Sequence, residues 1–178
     1  FREMKIVYML LLVVVLALAV GYCRAGREVN RTPVRTFDLN RYLGTWYEIA
    51  RFDFRFERGL DHVQATYERR PDGLILVRNS GREVRTGKRR VAEGKARLTK
   101  VPGRLRVSFF WIFYSQYNVL ELGEEYEWAL VGGRSAKYLW ILSRTPELPP
   151  ETYHHIVQLA RARGYDTDRL LVVDQSEE

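Results

Sequence analysis

Apolar and polar residues alternate in short segments through the middle of the chain. In Arg104–Phe109, leucine, valine and phenylalanine occupy every second position, and arginine or serine fills the others. Val63–Glu68 alternates in the same way. A period of two places successive side chains on opposite faces of a strand. Each segment therefore predicts a β-strand with one apolar face and one polar face.

Eight such strands are predicted between residues 45 and 144. Clusters of turn-forming residues separate them, for example Pro71–Gly73, Asn79–Gly81 and Gly132–Gly133. This short, regular spacing favours antiparallel hairpins in sequence order. We therefore predict an all-β fold, an eight-stranded antiparallel up-and-down β-barrel. The predicted strands are 45–52, 62–70, 73–79, 88–97, 103–110, 116–122, 126–132 and 137–144.

The pattern changes after Arg144, where a helix is predicted. Apolar residues recur at helical spacing from Tyr153 to Ala160, after a proline-rich segment and before a glycine. We expect one amphipathic C-terminal helix at about residues 150–163, packed against the outside of the barrel. The following segment, Leu170–Val173, is predicted to be a last strand that pairs with the edge of the first.

The N-terminal residues have the composition of an export signal. A lysine precedes the unbroken apolar run Ile6–Val20, and small residues follow it. We expect a leader at residues 1–25 and a flexible, polar lead-in at 26–36. The barrel domain is predicted at 37–174, beginning with a short helical turn. The apolar run is short for a membrane span, which needs about 20 apolar residues, and an uncleaved anchor is the alternative.

Cys23 is the only cysteine, so no disulfide can form within the chain. It follows the apolar run, where a bacterial lipoprotein carries its lipidated cysteine. Tyr22 departs from the small residue that this motif prefers, and cleavage after Ala25 is the competing interpretation. Both interpretations export the protein, to the periplasm or to an outer-membrane anchor.

Composition and charge indicate a single exported domain with a substantial core. The chain has 178 residues, of which 46% are hydrophobic and 13% aromatic. The formal charge of +7 is spread over the chain, which favours solubility and attraction to anionic surfaces, not nucleic-acid binding. The densest basic stretch lies between Arg78 and Lys100. It predicts outward strand faces and hairpin tips or, alternatively, contact with anionic lipid head groups near the barrel mouth.

Motifs for catalysis and metal binding are not found in the sequence. The three histidines are His62, His154 and His155, and the last two are adjacent on the predicted helix and diverge. There is no G-x-S-x-G motif and no metal-ligand spacing. We expect a binding protein without catalytic residues, metal or cofactor.

A glycine, a tryptophan and an arginine predict how one end of the barrel closes. Gly44 and Trp46 begin the first strand, and Arg144 ends the eighth. We expect the indole to plug the barrel and the guanidinium to lie across its ring, a contact worth about 0.5–2 kcal/mol. Glu48, on the same face, is either a buried polar group satisfied in the floor or a group that orients a ligand head.

Five sequence blocks, in this order and at this spacing, resemble the lipocalin family. The likeness covers about residues 34–174 and is greatest to the bacterial outer-membrane lipocalins, a branch similar to apolipoprotein D and the plant temperature-induced lipocalins. The blocks are Gly44–Phe52, Arg55–Leu60, Val107–Phe110, Tyr117–Val119 and Tyr138–Pro146.

The resemblance implies an eight-stranded barrel that binds fatty acids or lysophospholipids and serves membrane maintenance or lipid traffic. It also implies a lipid-anchored form. The chain departs from this branch at Trp111–Ile112, where glycine and proline are expected, and at Ser115–Gln116, where a glycine-rich turn is expected. Details of the barrel rim therefore do not carry over.

Aromatic and amide side chains supply the candidate cavity lining, with ordinary core packing as the alternative for each. A few polar groups in an apolar cavity fix the orientation of a ligand, which is why two asparagines are included. The candidates are Phe54, Phe56, Tyr67, Asn79, Phe109, Tyr117, Asn118, Trp128, Tyr138 and Trp140.

The sequence thus predicts an exported lipocalin that sequesters or transports a fatty acid or lysophospholipid in its barrel. Its expected partners are that lipid and a membrane surface, with a homodimer as an open alternative and no nucleic acid. Two other functions fit the pattern: binding of a small hydrophobic or aromatic ligand, and a filled barrel that serves as a surface interaction module.

Overall fold

The computed structural model describes residues 28–110 and 113–176, and within them the chain forms nine strands and two α-helices. Helix α1 (Leu39–Tyr42) precedes the first strand, helix α2 (Pro150–Ala162) follows the eighth, and a 3-10 turn (Thr167–Arg169) precedes the ninth. The strands are β1 (Gly44–Phe52), β2 (Leu60–Arg69), β3 (Ile75–Glu83), β4 (Arg89–Leu98), β5 (Arg104–Phe110), β6 (Phe113–Leu122), β7 (Trp128–Gly132), β8 (Leu139–Ser143) and β9 (Leu170–Val172).

Strands β1 to β8 form a closed barrel. Each strand pairs antiparallel with the next along the chain, and β1 pairs with both β2 and β8. Closure leaves no free edge among these eight strands. The predicted all-β, eight-stranded antiparallel up-and-down barrel is confirmed.

The turn predicted at Asn79–Gly81 is wrong, because these residues lie within β3. Asn79 pairs with Ala65 on one side and Ala92 on the other, so the strand continues to Glu83. Gly81 allows the Val63 side chain to pack closely against β3, because a Cβ at this position would lie 3.1 Å from Val63 Cγ2. The chain instead reverses after Glu83, at a turn that contains Gly87 with φ +67°.

Two apolar clusters lie on opposite faces of the barrel wall. The inner cluster includes Trp46, Leu105 and Val119. The outer cluster joins β-strand residues such as Ile141 to the buried face of α2, where Ile156 is fully buried. The predicted C-terminal helix is therefore present and packs outside the barrel.

A β-bulge in β1 changes which residues face inward. The register with β8 shifts between Glu48 and Ala50. Ile49 and Ala50 both belong to the outer cluster, so alternation is interrupted there. Arg51 returns to the inner face and pairs with the inward-facing Glu48.

Strand β9 fills the gap where β1 and β2 diverge. It pairs antiparallel with β1, as the sequence predicts. Beyond it, the N–H of His62 on β2 donates to the carbonyl of Asp174 at 2.8 Å. The Gln175 side chain donates to the carbonyls of Glu48 and Val63 at 2.9 and 2.8 Å, which joins the two strands.

The segment before α1 is irregular but attached to the barrel. The polar composition of 26–36 predicts a flexible lead-in. In the structure, Val29 is buried, the N–H of Asn30 donates to the carbonyl of Arg163, and the N–H of Val34 donates to the carbonyl of Val119. The predicted leader and Cys23 lie outside the described residues. Among the helices of the described ranges, none is long and apolar enough to cross a membrane.

Candidate ligand-binding cavity

The floor of the barrel is sealed by Trp46 and Arg144. Trp46 is fully buried, and its indole N–H donates to the carbonyl of Tyr42 at 2.8 Å. The Arg144 guanidinium carbon lies 3.8 Å from the centre of the indole ring. Its nitrogens donate to the carbonyls of Thr45 and Arg41 at 2.9 and 2.6 Å. The predicted cation–π closure is present and is fixed by backbone acceptors.

Gly44 makes the approach of this arginine possible. Its φ is +95°, a conformation that residues with a Cβ rarely adopt. A Cβ at this position would also lie 3.4 Å from Arg144 Nη1. Gly44 therefore belongs to the closure, as the sequence predicts.

Three tyrosines lie directly above the floor. The hydroxyl of Tyr117 is 2.6 Å from that of Tyr42 and accepts a hydrogen bond from Tyr67 at 2.9 Å. Burial raises the pKa of all three phenols, so they stay protonated. Tyr67 and Tyr117 were candidates, whereas Tyr42 was missed because it lies on α1, outside the strand pattern.

The inner wall above the tyrosines is apolar and lined partly by small residues. Ala65, Ala96 and Ala129 all belong to the inner cluster. The ring of Phe109 lies against the wall at Gly94, where a Cβ would come within 2.8 Å of Phe109 Cδ1. Small side chains and a ring packed against glycine occupy little of the space next to the wall.

Several inward-facing side chains remain partly exposed although they lie inside the barrel. They are contributed by four strands around the wall. A tightly filled interior would bury them completely, so there is space beside them that solvent can reach. These residues are Ala65, Val107, Phe109, Tyr117 and Trp140.

Four of the predicted aromatic residues meet at the opposite end, the mouth. The Phe54 ring is 5.2 Å from the rings of Phe56 and Tyr138, edge to face. Tyr138 stacks on Trp140 with ring centres 6.2 Å apart. Phe56 is 55% exposed. Loop 53–59, between β1 and β2, thus packs its aromatic residues against the end of β8.

A buried polar cluster lies on the mouth side of the apolar wall. Arg51 Nη1 donates to Glu48 Oε1 at 2.7 Å, and both residues are at most 5% exposed. Burial, reinforced by the Glu57 carboxylate and opposed by Arg51, raises the pKa of Glu48 to about 8. Burial also raises the pKa of Glu57, which accepts a hydrogen bond from the indole of Trp140 at 3.0 Å. Two roles are predicted for Glu48, and its contacts match the first: it is a buried polar group that is hydrogen-bonded within the barrel.

Two candidate lining residues face outward, and these predictions are wrong. Asn118 follows the inward-facing Tyr117, so its side chain lies on the outer face, where it bonds Arg104 and the carbonyl of Gly133. Trp128 belongs to the outer cluster, with its ring 6.2 Å from that of His155 on α2.

Asn79 shares the strand phase of the inward-facing Ile75 and Val77. Its Oδ1 is buried and has no hydrogen-bond partner within the described part of the chain. It remains a candidate for a polar contact inside the barrel.

The basic stretch on β3 and β4 lies largely on outward faces in ion pairs. Arg78 contacts Glu93 at 2.8 Å on the outer face. Arg90 contacts Glu83 at 3.4 Å, but this pair has the strand phase of the inner face and lies at the mouth end. Such exposed pairs contribute little to stability. In the described ranges, no group of three or more histidine, cysteine, aspartate or glutamate residues is arranged to hold a metal ion.

Comparison with known proteins indicates one family. Residues 37–175 match the lipocalin-like domain family. The chain is 50% identical over 146 residues to outer membrane lipoprotein Blc of Escherichia coli K12, covering 81% of this chain and 82% of that protein. It is 38% identical over 156 residues to temperature-induced lipocalin-1 of Arabidopsis thaliana, covering 81% and 82%. Among solved structures, insecticyanin of the tobacco hornworm Manduca sexta matches with a TM-score of 0.69 at 21% identity, covering 85% and 88%.

A closed barrel with a sealed floor, an apolar inner wall and an external helix defines a class of small-ligand-binding β-barrels. The chain belongs to the lipocalin family. The resemblance of the five sequence blocks is thereby confirmed.

Proposed function

We propose that this lipocalin binds a single-chain amphiphile, a fatty acid or a lysophospholipid, with its tail inside the barrel. The observation that carries the proposal is the set of partly exposed apolar side chains on the inner wall, between the sealed floor and the mouth. Apolar pockets with a few convergent polar groups are typical of small-molecule sites.

The depth and chemistry of the interior suit an acyl tail. Arg51 follows Trp46 by five positions in β1, a distance of about 16 Å along the strand before the bulge and tilt shorten it. Each buried methylene contributes about 0.8 kcal/mol, so ten of them gain about 8 kcal/mol before the losses of binding entropy. An amphiphile would place its polar head at the mouth, near Arg51.

The proposed location is the cell envelope. The relative in Escherichia coli is named an outer membrane lipoprotein, and the apolar run at residues 6–20 fits export. Sequestration and release of lipid there would serve membrane maintenance, with Cys23 as the candidate lipidation site. Binding, without bond chemistry, is the activity that we infer.

A lumen-filling variant with a matched control tests the proposal. Val107 faces inward, whereas Val91 is 55% exposed on the outward face of the neighbouring β4. The affinity for oleate is measured by its displacement of a fluorescent fatty acid probe. We expect Val107→Trp to lower this affinity by about tenfold or more, and Val91→Trp to leave it unchanged.

Native mass spectrometry of the protein from its host supplies the second readout. Bound acyl lipid at unit stoichiometry supports the proposal, and the same spectrum reports the oligomeric state. Protein that is repeatedly empty and takes up no added oleoyl lysophospholipid would contradict it. Equal weakening by both tryptophan substitutions would show that the probe does not occupy the lumen.

A further inference from the structure

Arg51 is a buried cation on the inner wall whose hydrogen-bonding capacity is not fully used. Besides its bond to Glu48, Nη2 donates to the carbonyls of Glu57 and Leu60 at 2.8 and 3.1 Å. Its Nε is buried and has no partner in the described part of the chain. An acceptor that reached this donor would form a charge-assisted hydrogen bond.

A second donor lies beside Arg51 at the same level of the barrel. Arg51 on β1 and Trp140 on β8 are directly paired across the two strands. Paired positions on neighbouring strands hold their side chains on the same face. The indole N–H of Trp140 and the guanidinium of Arg51 therefore converge on one region of the inner wall.

This region is occupied by a carboxylate from loop 53–59. Glu57 Oε2 accepts the hydrogen bond from Trp140 at 3.0 Å, and the positive charge of Arg51 acts on the same carboxylate. Glu57 thus reaches from the loop over the mouth to the wall and places its carboxyl group there.

The single positive charge in this cluster, that of Arg51, can balance only one anion. Two carboxyl groups, Glu48 and Glu57, share one guanidinium, and burial raises the pKa of both. The pKa of Glu48, about 8, keeps that group largely protonated near neutral pH. One guanidinium balances one negative charge, so a ligand anion and the Glu57 carboxyl group compete for Arg51.

We propose that Arg51 and the indole N–H of Trp140 form an anion subsite for the carboxylate or phosphate head of the bound amphiphile. Glu57 occupies this subsite as an internal substitute and is displaced by the ligand head. The subsite rests on the proposed function, because the tail of the same ligand would fill the apolar wall below it.

Loop 53–59 is braced by its own contacts and by bonds from its backbone to the barrel, so the Glu57 side chain can leave while the loop backbone stays in place. Arg58 binds both carboxylate oxygens of Asp53, with the shortest distance 2.6 Å. A turn inside the loop joins the N–H of Glu57 to the carbonyl of Phe54 at 2.9 Å, and Gly59 ends the loop with φ +74°. Displacement of Glu57 removes the bond to Trp140 and leaves the internal contacts of the loop intact.

The test compares three probes that share one oleoyl chain and differ at the head. Oleate carries a carboxylate, oleoyl lysophosphatidate a phosphate, and oleyl alcohol no charge. The main variant is Glu57→Gln, which keeps an acceptor for Trp140 and removes the charge. Glu83→Gln, at a half-buried carboxylate that pairs with Arg90 at the same end of the barrel, is the control for net charge. A second variant, Trp140→Phe, removes the indole donor and keeps an aromatic ring.

We expect Glu57→Gln to tighten binding of the anionic probes by about tenfold and to change oleyl alcohol by less than about twofold. Trp140→Phe should weaken the anionic probes selectively, and Glu83→Gln should leave all three unchanged. The stronger response of oleate or of lysophosphatidate identifies which head the subsite takes. Equal effects on the charged and uncharged probes would overturn the subsite while leaving the lipid cavity standing. Failure of all three probes to bind the unchanged protein would overturn both proposals.

Discussion

The two ends of the barrel each contain an inward-lying arginine, but the arginines have different partners. At the floor, Arg144 donates to backbone carbonyls and lies on Trp46. Toward the mouth, Arg51 pairs with the carboxyl group of Glu48 and lies within the field of Glu57. Backbone carbonyls neither titrate nor leave, whereas a carboxylate on a loop can be protonated or displaced.

The comparison separates a permanent closure from an exchangeable one. At the floor Trp46 is fully buried and the acceptors of Arg144 are backbone carbonyls, so opening that end requires local unfolding. Loop 53–59 covers the mouth. The bond from Trp140 to the Glu57 carboxyl group is a contact that a ligand head can replace. The bonds from Arg51 to the carbonyl of Glu57 and from Val84 to the carbonyl of Gly59 hold the loop backbone. Changes at the floor should therefore act on stability, and changes at the mouth on binding.

Trp46→Ala should have the largest effect, because it removes a fully buried ring from the floor. We expect a loss of about 3–5 kcal/mol in the free energy of unfolding, measured by urea denaturation. Trp140→Ala is the counterpart at the mouth, where the ring is only partly buried. Its loss should be about 1–2 kcal/mol. Equal losses would show that the two ends contribute alike.

Glu48 gives the mouth side a dependence on pH that the floor does not share. Its pKa is 4.5 for the ordinary side chain and about 8 in the fold. The folded state therefore holds a proton that the unfolded chain has released, and stability falls as the pH rises between these values. One pKa unit corresponds to about 1.4 kcal/mol, so the loss is on the order of a few kcal/mol.

Glu48→Gln should flatten this decline while the fold is retained, because an amide can still accept the bond from Arg51. Denaturation midpoints recorded at steps from pH 5 to pH 8 would measure it. Glu83→Gln should keep the decline of the unchanged protein, because a hydrogen bond from Thr86 lowers the pKa of Glu83 instead of raising it. A decline that persists in Glu48→Gln would assign the titration to another group.

The sequence predicted the floor well because its determinants are local. Gly44 and Trp46 are two residues apart, and Arg144 follows the last barrel strand directly, so period two alone brings them to one end. The phase of Trp140 was predicted in the same way. Trp128 and Asn118 are predicted in the cavity because of their residue types. Each is adjacent in its strand to a residue that faces inward, so alternation places its own side chain on the outer face.

The polar cluster was not predictable from alternation. Strict alternation from Trp46 through Glu48 places Arg51 on the outer face. The bulge between Glu48 and Ala50 reverses that phase. The available signal was the pair Ile49–Ala50, two successive apolar residues that interrupt the pattern of β1. Glu57 lies in a loop, where no periodicity indicates the direction of a side chain.

Arg144→Ala tests the permanent closure with a smaller effect than Trp46→Ala. It removes the contact with the indole and leaves the carbonyls of Thr45 and Arg41 without a donor, for a loss of about 2 kcal/mol in unfolding free energy. Arg144→Lys keeps the charge and should recover part of it. Oleate affinity should stay within about twofold in both variants. A selective loss of anionic probes would give the floor a role in recognition.

Asp61 gives the smallest expected effect and the opposite pH dependence to Glu48. On the outer face, hydrogen bonds from Arg82, at 2.9 and 3.0 Å, lower the pKa of Asp61 to about 2. Stability from this pair is present above the ordinary pKa of 3.8 and is lost as the pH falls toward 2. Asp61 is buried, but an asparagine can still accept one bond from Arg82, so Asp61→Asn should cost about 1–2 kcal/mol at neutral pH. It should also reduce the loss in acid.

The two carboxyl groups act on different parts of the stability profile: Asp61 contributes to the loss below pH 3.8, and Glu48 to the loss between pH 4.5 and about 8. Asp61→Asn should therefore alter only the loss in acid, and Glu48→Gln only the other. If either substitution changed both losses equally, the inner and outer carboxyl groups would be coupled through the wall. The inner cluster would then no longer be an independent, exchangeable site.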